Sequence, residues 1–250
     1  MESINGENCK GSVRYIHLDL TDLESIRQCA DSLNSLSKID ILILNAGILG
    51  VPLTRTGPGW ESIFATNHMG HFYLTKLLLN KLKENSDFAR IVALSSMAHH
   101  LPGFDIEDLN WERRPFTPWK GYVSAKSSNL LFIRELDRRL KAEGASVEAF
   151  SVHPGIISNT NLMKSLSFLK RSIYKICIHL HICPTCKNVE QGAATTVFAA
   201  VAPEITGMGG AYLDGCGVGK VSSKLANRTL DVQLWEKSEM LLHEALEKGF

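Results

Sequence analysis

The run Ile39-Asp40-Ile41-Leu42-Ile43-Leu44 is aliphatic at every position but one. A run of that kind suits a strand buried on both faces, which is the condition of strands in parallel sheets. It stops at Asn45-Ala46-Gly47, a turn, and Ile91-Val92-Ala93-Leu94 repeats the pattern before stopping at Ser95-Ser96. Between the two, a helix is expected from near Gly59 to beyond Leu82, with Leu74, Leu78 and Leu82 on one face. Upstream, Val13–Leu18 reads as a short strand, and Thr21-Asp22-Leu23-Glu24 as a capping box. The helix behind that box carries the stripe Leu23, Ile26, Ala30 and Leu33. Downstream, a loop rich in Pro, Trp and charge (Leu101 to Lys120) leads into a long helix with the stripe Leu130, Ile133, Leu136 and Leu140. Val147–Val152 reads as another strand, stopped by His153-Pro154-Gly155. A basic and apolar stretch (Leu162 to His181), a helix from about Glu190 to Val201, a short strand at Ala211–Leu213 and a charged terminal helix complete the chain. Strands alternating with helices of these lengths predict an α/β fold built on a parallel sheet, and one domain over residues 1–250 is the economical count.

Composition narrows the function. The chain has 250 residues, 44% hydrophobic and 21% charged, with a net charge of +1, so nothing electrostatic favours a nucleic-acid or acidic partner. It has no apolar run long enough to predict a membrane span. The start, Met1-Glu2-Ser3-Ile4-Asn5-Gly6, does not read as a secretory signal. The six scattered cysteines suit a reducing compartment better than a disulfide framework, so a cytoplasmic location is expected.

Tyr122-Val123-Ser124-Ala125-Lys126 carries the chemistry. The spacing puts a phenol and an ammonium one turn apart on the long helix. A cation close to a phenol favours its ionised form, and so brings a group that titrates near about 10 towards useful acid–base work. A helix-surface pair is the bland alternative. What weighs against it is placement, because four candidate strands end in polar or glycine-bearing turns: Asp19, Asn45-Ala46-Gly47, Ser95-Ser96 and His153-Pro154-Gly155. In open α/β sheets, ligands bind beyond the carboxyl ends of the strands.

The ordered set Asp19-Leu20-Thr21, Asn45-Ala46-Gly47, Thr66-Asn67-His68-Met69-Gly70-His71-Phe72, Leu94-Ser95-Ser96, Tyr122-x-x-x-Lys126 and His153-Pro154-Gly155 resembles the short-chain dehydrogenase/reductase family from about Val13 to about Leu242. His68-x-x-His71-Phe72 and Ser96-Met97-Ala98-His99-His100 point to its retinol-dehydrogenase-like branch. Gln191-Gly192-Ala193-Ala194-Thr195-Thr196-Val197, followed by Pro203-Glu204 to Gly210, is similar to the dehydrogenase domain of WW-domain-containing oxidoreductases, although no WW module is seen here. The resemblance implies a doubly wound, Rossmann-like sheet and a hydride exchanged between NAD or NADP and an alcohol or carbonyl, with an apolar retinoid, steroid or lipid-like substrate expected. It implies that Tyr122 trades a proton with the substrate oxygen. Lys126 would lower the Tyr122 pKa and hold the nicotinamide ribose. Ser96, with Ser95 as the alternative, would steady the substrate oxygen, and Asn67 would complete a proton relay through water. On the cofactor side it assigns Asp19 to adenine, Asn45, Ala46 and Gly47 to the adenine ribose, Pro154, Gly155 and Ile157 to the nicotinamide, and Thr160 to its amide. Leu44 stands where the family usually has an Asn. Members often pair through their long helices, so the resemblance allows a homodimer without deciding the oligomeric state.

The resemblance also implies an opening that the sequence does not have. A strand, a glycine-rich turn and a helix would precede Val13, a unit of roughly thirty residues, with a further strand and helix after it. Without them the strand after Lys38 should have an open apolar edge, and weak or absent cofactor binding is expected. The rival reading is therefore a catalytically silent remnant that acts as a binding or interaction protein. Gly207-Met208-Gly209-Gly210 and Gly215-Cys216-Gly217-Val218-Gly219 read as loop. Cys183-Pro184-Thr185-Cys186 lacks the second pair that a structural zinc site needs, so no metal is expected. His68, His71, His99 and His100 read as packing or loop histidines. Leu166 to His181, with Lys170, Arg171 and Lys175, reads either as a substrate-covering helix or as a peripheral membrane contact.

Overall fold

The computed structural model describes residues 11–84, 88–157 and 186–250. The stretch 162–181, Cys183 and Thr160 lie outside them. Three parallel strands, β1 (Ile41–Leu44), β2 (Ala89–Leu94) and β3 (Val147–His153), are joined by helical crossovers. Two strands, β4 (Ile156–Ile157) and β5 (Cys186–Lys187), pair with each other in a small parallel sheet. The main sheet continues with β6 (Tyr212–Asp214), parallel to β3, and β7 (Gly217–Val218), antiparallel to β6, giving the order β1-β2-β3-β6-β7.

Helices cover both faces of this sheet. On one lie α1 (Leu23–Asn34), α3 (Gly70–Lys83), α4 (Pro118–Ala142) and α6 (Thr229–Glu247). Their buried side chains meet Leu44, Ile91, Ala93, Ala149 and Tyr212 in the main core. The other face carries α5 (Val189–Val201), whose Ala199 and Ala200 pack on Val92, Leu94, Phe150, Val152 and Leu213. The two sets alternate along β2 and β3, as the period of two in a strand requires. The expected doubly wound α/β architecture is therefore present.

The wholly buried Arg90 of β2 ties sheet to helix. It donates to Ala199 O (3.2 Å) and Ala202 O (2.7 Å), satisfying carbonyls at the α5 C-terminus.

Several expectations need correction. Val13–Leu18 forms no strand: Val13 is 43% and Tyr15 71% exposed, and β2 is the only ladder partner of β1 among the described residues. Apolar composition alone does not make a strand, because the backbone needs a neighbour to exchange hydrogen bonds with. The α1 cap is Asp22 rather than Thr21, since the Asp22 carboxylate accepts from Glu24 N (2.9 Å) and Ser25 N (3.3 Å). The last parallel strand is Tyr212–Asp214, and Gly217 and Val218, expected in a loop, form β7 against it. Glu61 caps a short helix, α2 (Ser62–Phe64), which runs through a π turn at Ala65–Met69 into α3.

Candidate active site

Strands β1, β2 and β3 run the same way, so Asn45-Ala46-Gly47, Ser95-Ser96 and Pro154-Gly155 leave the sheet at one edge. Helix α4 crosses that edge. Thr117 caps it and Pro118 opens it, and the side chains from Gly121 to Asp137 are buried on every side. Tyr122 and Lys126 are therefore interior groups and not a surface pair.

The two serines after β2 have different partners. Ser95 Oγ donates to Lys126 O (2.7 Å), stitching the strand end to α4. Ser96 Oγ accepts from Ala98 N (3.1 Å) at the start of a 3-10 turn, Met97–His100, and sits near enough to Tyr122 to favour its ionised form. Ser95 Oγ, by contrast, is turned to α4. His99 Nδ1–H donates to Ser96 O (2.6 Å) and holds the turn from behind.

Lys126 Nζ donates to Leu94 O (2.7 Å) and lies 5.8 Å from the centre of the Tyr122 ring. Burial brings its pKa down to about 8. Burial acts on Tyr122 in the opposite direction: it raises the phenol above its ordinary value, and Ser96 only partly offsets this. The expected depression of Tyr122 by its neighbour is therefore corrected. The ammonium sits by the ring and on a carbonyl, and desolvation of the phenolate is the largest influence.

Asn67 comes from the π turn. Both ends of its side-chain amide are engaged, with Oδ1 accepting from Ile48 N (2.8 Å) and Nδ2 donating to Ile48 O (3.0 Å). It latches the turn after β1, so the buried-amide alternative describes its side chain better than a water relay does. His71 Nδ1–H donates to Asn67 O (3.2 Å).

Gly47 lets the backbone come close to these groups. A Cβ there would come 3.2 Å from Asn67 Oδ1 and 3.5 Å from Lys126 Nζ. Backbone bare of a side chain and close to a buried ammonium is compatible with the hydroxyls of a ribose, so Gly47 and Lys126 fit the expected nicotinamide cofactor. Pro154 and Gly155 lie at the same sheet edge. Gly155 has φ +86°, a conformation glycine takes readily, and the Lys187 side chain covers it. Ile157 is in β4, and its side chain lies against Gly192 of α5. Asp19 lies just ahead of α1. Its carboxylate accepts from Thr21 N (2.8 Å) and Thr21 Oγ1 (2.7 Å), which lowers its pKa. No strand carries it to the sheet edge.

Sequence reasoning missed Asn129. Its amide donates to Leu94 O (3.0 Å), the carbonyl that also holds Lys126. The signal was present, since Asn129 follows Lys126 by three residues and so shares its helix face.

The short chain dehydrogenase family matches the sequence over residues 2–168. Retinol dehydrogenase 12 of Mus musculus is 39% identical over 241 residues, which cover 96% of this chain and 72% of that protein. The WW domain-containing oxidoreductase of Drosophila melanogaster is 36% identical over 241 residues, 94% of this chain and 56% of that protein. Among solved structures, an uncharacterized protein from Mycobacterium paratuberculosis is similar with a TM-score of 0.67 and 36% identity, over 90% of this chain and 73% of that one.

Proposed function

The chain belongs to the short-chain dehydrogenase family, and on that premise we propose that Tyr122, Ser96 and Lys126 carry out the proton chemistry of a nicotinamide-dependent oxidoreductase acting on an apolar alcohol or carbonyl. The observation that carries this reading is the burial of Tyr122, Ser96 and Lys126 together at the sheet edge, with the Lys126 ammonium 5.8 Å from the Tyr122 ring. NAD or NADP, when bound, supplies the acceptor or donor of the hydride.

The chain's own residues do the rest. Tyr122 stays protonated at neutral pH, so it can give its proton to a carbonyl oxygen as that oxygen gains charge. Ser96 Oγ donates to the same oxygen and stabilises the developing alkoxide. Lys126 holds positive charge behind the phenol, which opposes the cost of leaving a buried phenolate. In the oxidation direction the proton travels from the substrate hydroxyl to Tyr122. Asn67 acts by fixing the turn at Ala46–Ile48, and Lys126 Nζ and the Gly47 backbone receive ribose hydroxyls. An apolar substrate is proposed by likeness to the retinol dehydrogenase.

The test uses the full chain with NADH and NADPH and a panel of retinoid, steroid and aliphatic aldehydes. Tyr122→Phe should lower kcat by about a hundredfold to ten-thousandfold, the usual contribution of a positioned acid. Ser96→Ala should cost about a hundredfold or more in kcat. Turnover by Tyr122→Phe at the parent rate would overturn the assignment. An absence of cofactor binding or turnover by the parent would leave this chain as a non-enzymatic member of the family.

A further inference from the structure

Behind the site runs a line of buried polar groups with no part in the reaction as described. Ser238 of α6 lies 2.9 Å from His68 Nε2. His68 Nδ1 is 3.3 Å from Asn129 Oδ1. Asn129 Nδ2 donates to Leu94 O (3.0 Å), and Lys126 Nζ donates to the same oxygen (2.7 Å). Ser238, His68, Asn129 and Lys126 are all buried.

The chemistry of the donors gives this line a single direction. Leu94 O can only accept, so Asn129 presents its NH₂ there and its Oδ1 to His68. His68 must then carry its proton on Nδ1, and its bare Nε2 accepts from the Ser238 hydroxyl. Burial keeps the ring neutral, with a pKa of about 4, as this arrangement requires. The π turn at Ala65–Met69 lets adjacent residues serve different neighbours: Asn67 faces the turn after β1 while His68 faces α4. Aromatic contacts with Phe64 and Phe132 fix the plane of the His68 ring.

We propose that Ser238, His68 and Asn129 are positioning residues that hold the Leu94 carbonyl, and through it the Lys126 ammonium, at the proposed catalytic edge. The proposal rests on the reading of Lys126 given above. It makes the terminal helix, by way of Ser238, part of the apparatus that sets the position of the ammonium. A carbonyl held in place by one donor presents its remaining lone pair to a second in a set direction.

The experiment follows the Lys126 ammonium directly, by ¹H–¹⁵N spectra of lysine-labelled full chain at pH 6, and the His68 tautomer by long-range ¹H–¹⁵N spectra. The parent should show a slowly exchanging Lys126 signal and a pure Nδ1–H tautomer for His68. Asn129→Leu and His68→Phe should speed ammonium exchange about tenfold, the equivalent of one net hydrogen bond, and Ser238→Ala should speed it less. Asn129→Leu should also move the His68 proton to Nε2, where Ser238 becomes its acceptor. His68→Gln, which restores a donor and an acceptor, should lie closer to the parent than His68→Phe. In turnover the same variants should lower kcat and leave substrate KM nearly unchanged. Unchanged ammonium exchange in Asn129→Leu and Ser238→Ala would overturn the proposal, as would a parent whose Lys126 exchanges like a surface lysine. If His68→Phe fails to fold, those two variants still decide. If the parent turns nothing over, the oxidoreductase reading fails, while the exchange measurements still judge the positioning chain.

Discussion

Two histidines three residues apart, His68 and His71, sit wholly inside the protein, and burial holds their pKa values at about 4 and about 3. The Lys126 charge adds to the effect on His71. An exposed imidazole in the unfolded chain titrates near 6.5, so below that pH the unfolded state binds protons that the folded state refuses. Stability from these groups is therefore complete above pH 6.5 and is lost as pH falls towards 4, with His68 alone worth on the order of 3 kcal/mol across that window. The urea midpoint of the parent should drop steeply between pH 6.5 and 4. His68→Phe should begin less stable at pH 7, since it strands Asn129 and Ser238, and its deficit should narrow as the pH is lowered. A deficit constant with pH would mean that His68 is not the group that titrates. At the site itself, the pairing of Tyr122 with Lys126 was legible because helical spacing dictates which side chains share a face. The direction of the Tyr122 shift was not, because it depends on desolvation, and no spacing rule reports how deep a helix lies. Ser96 takes precedence over Ser95 by its place in the resemblance, and adjacent identical letters carry no other difference; the structure adds that Ser95 Oγ is turned to Lys126 O.

Elements fail or hold where a single contact leaves them no room, and the start of α3 is such a place. A Cβ on Gly70 would lie 2.3 Å from Leu20 O and 2.8 Å from Leu20 Cβ. The first of these is backbone, so the collision cannot be relieved by a rotamer change. In an open helix Gly→Ala gains nearly 1 kcal/mol, but forced overpacking costs about 1–3 kcal/mol and should win here. Gly70→Ala is expected to lower stability by about 2 kcal/mol, read as a lower urea midpoint with an unchanged slope. A stabilised variant would show that the segment bearing Leu20 is not docked on α3. The helix itself could be read from Leu74, Leu78 and Leu82, all buried as expected. Its π turn could not, because one extra residue in a turn shifts side-chain phase without leaving a mark in hydrophobic periodicity. Nor could β7, whose two residues lie among glycines and pair only because Leu213 and Asp214 are already in place opposite them. Val13–Leu18 erred the other way: its residues have strand character, but strand formation is a property of a pair of segments.

At the scale of the whole molecule, among the described residues, the sheet has the antiparallel β7 at one side and β1 at the other. β1 turns Leu42 and Leu44 to the main core and Ile41 against the smaller one. Ile43 is the exception, at 44% exposure on a strand edge. An edge that offers both apolar side chains and free ladder positions is a template for pairing with another copy. The outer face of α5 offers a second candidate, because Val189, Val197 and Val201 are exposed there. The two causes can be separated because they differ in physics: edge pairing needs backbone hydrogen bonds and a flat strand, whereas association through α5 needs only side-chain contact. Ile43→Lys places a charge on the edge at little cost to the fold, since the side chain already reaches water. Sedimentation and light scattering over rising concentration should show the parent associating and Ile43→Lys remaining dispersed, with Val197→Lys behaving like the parent. If Val197→Lys alone disperses the protein, the helix face and not the sheet edge drives association. If neither does, β1 is shielded in solution, and its edge is not the weak point of this fold.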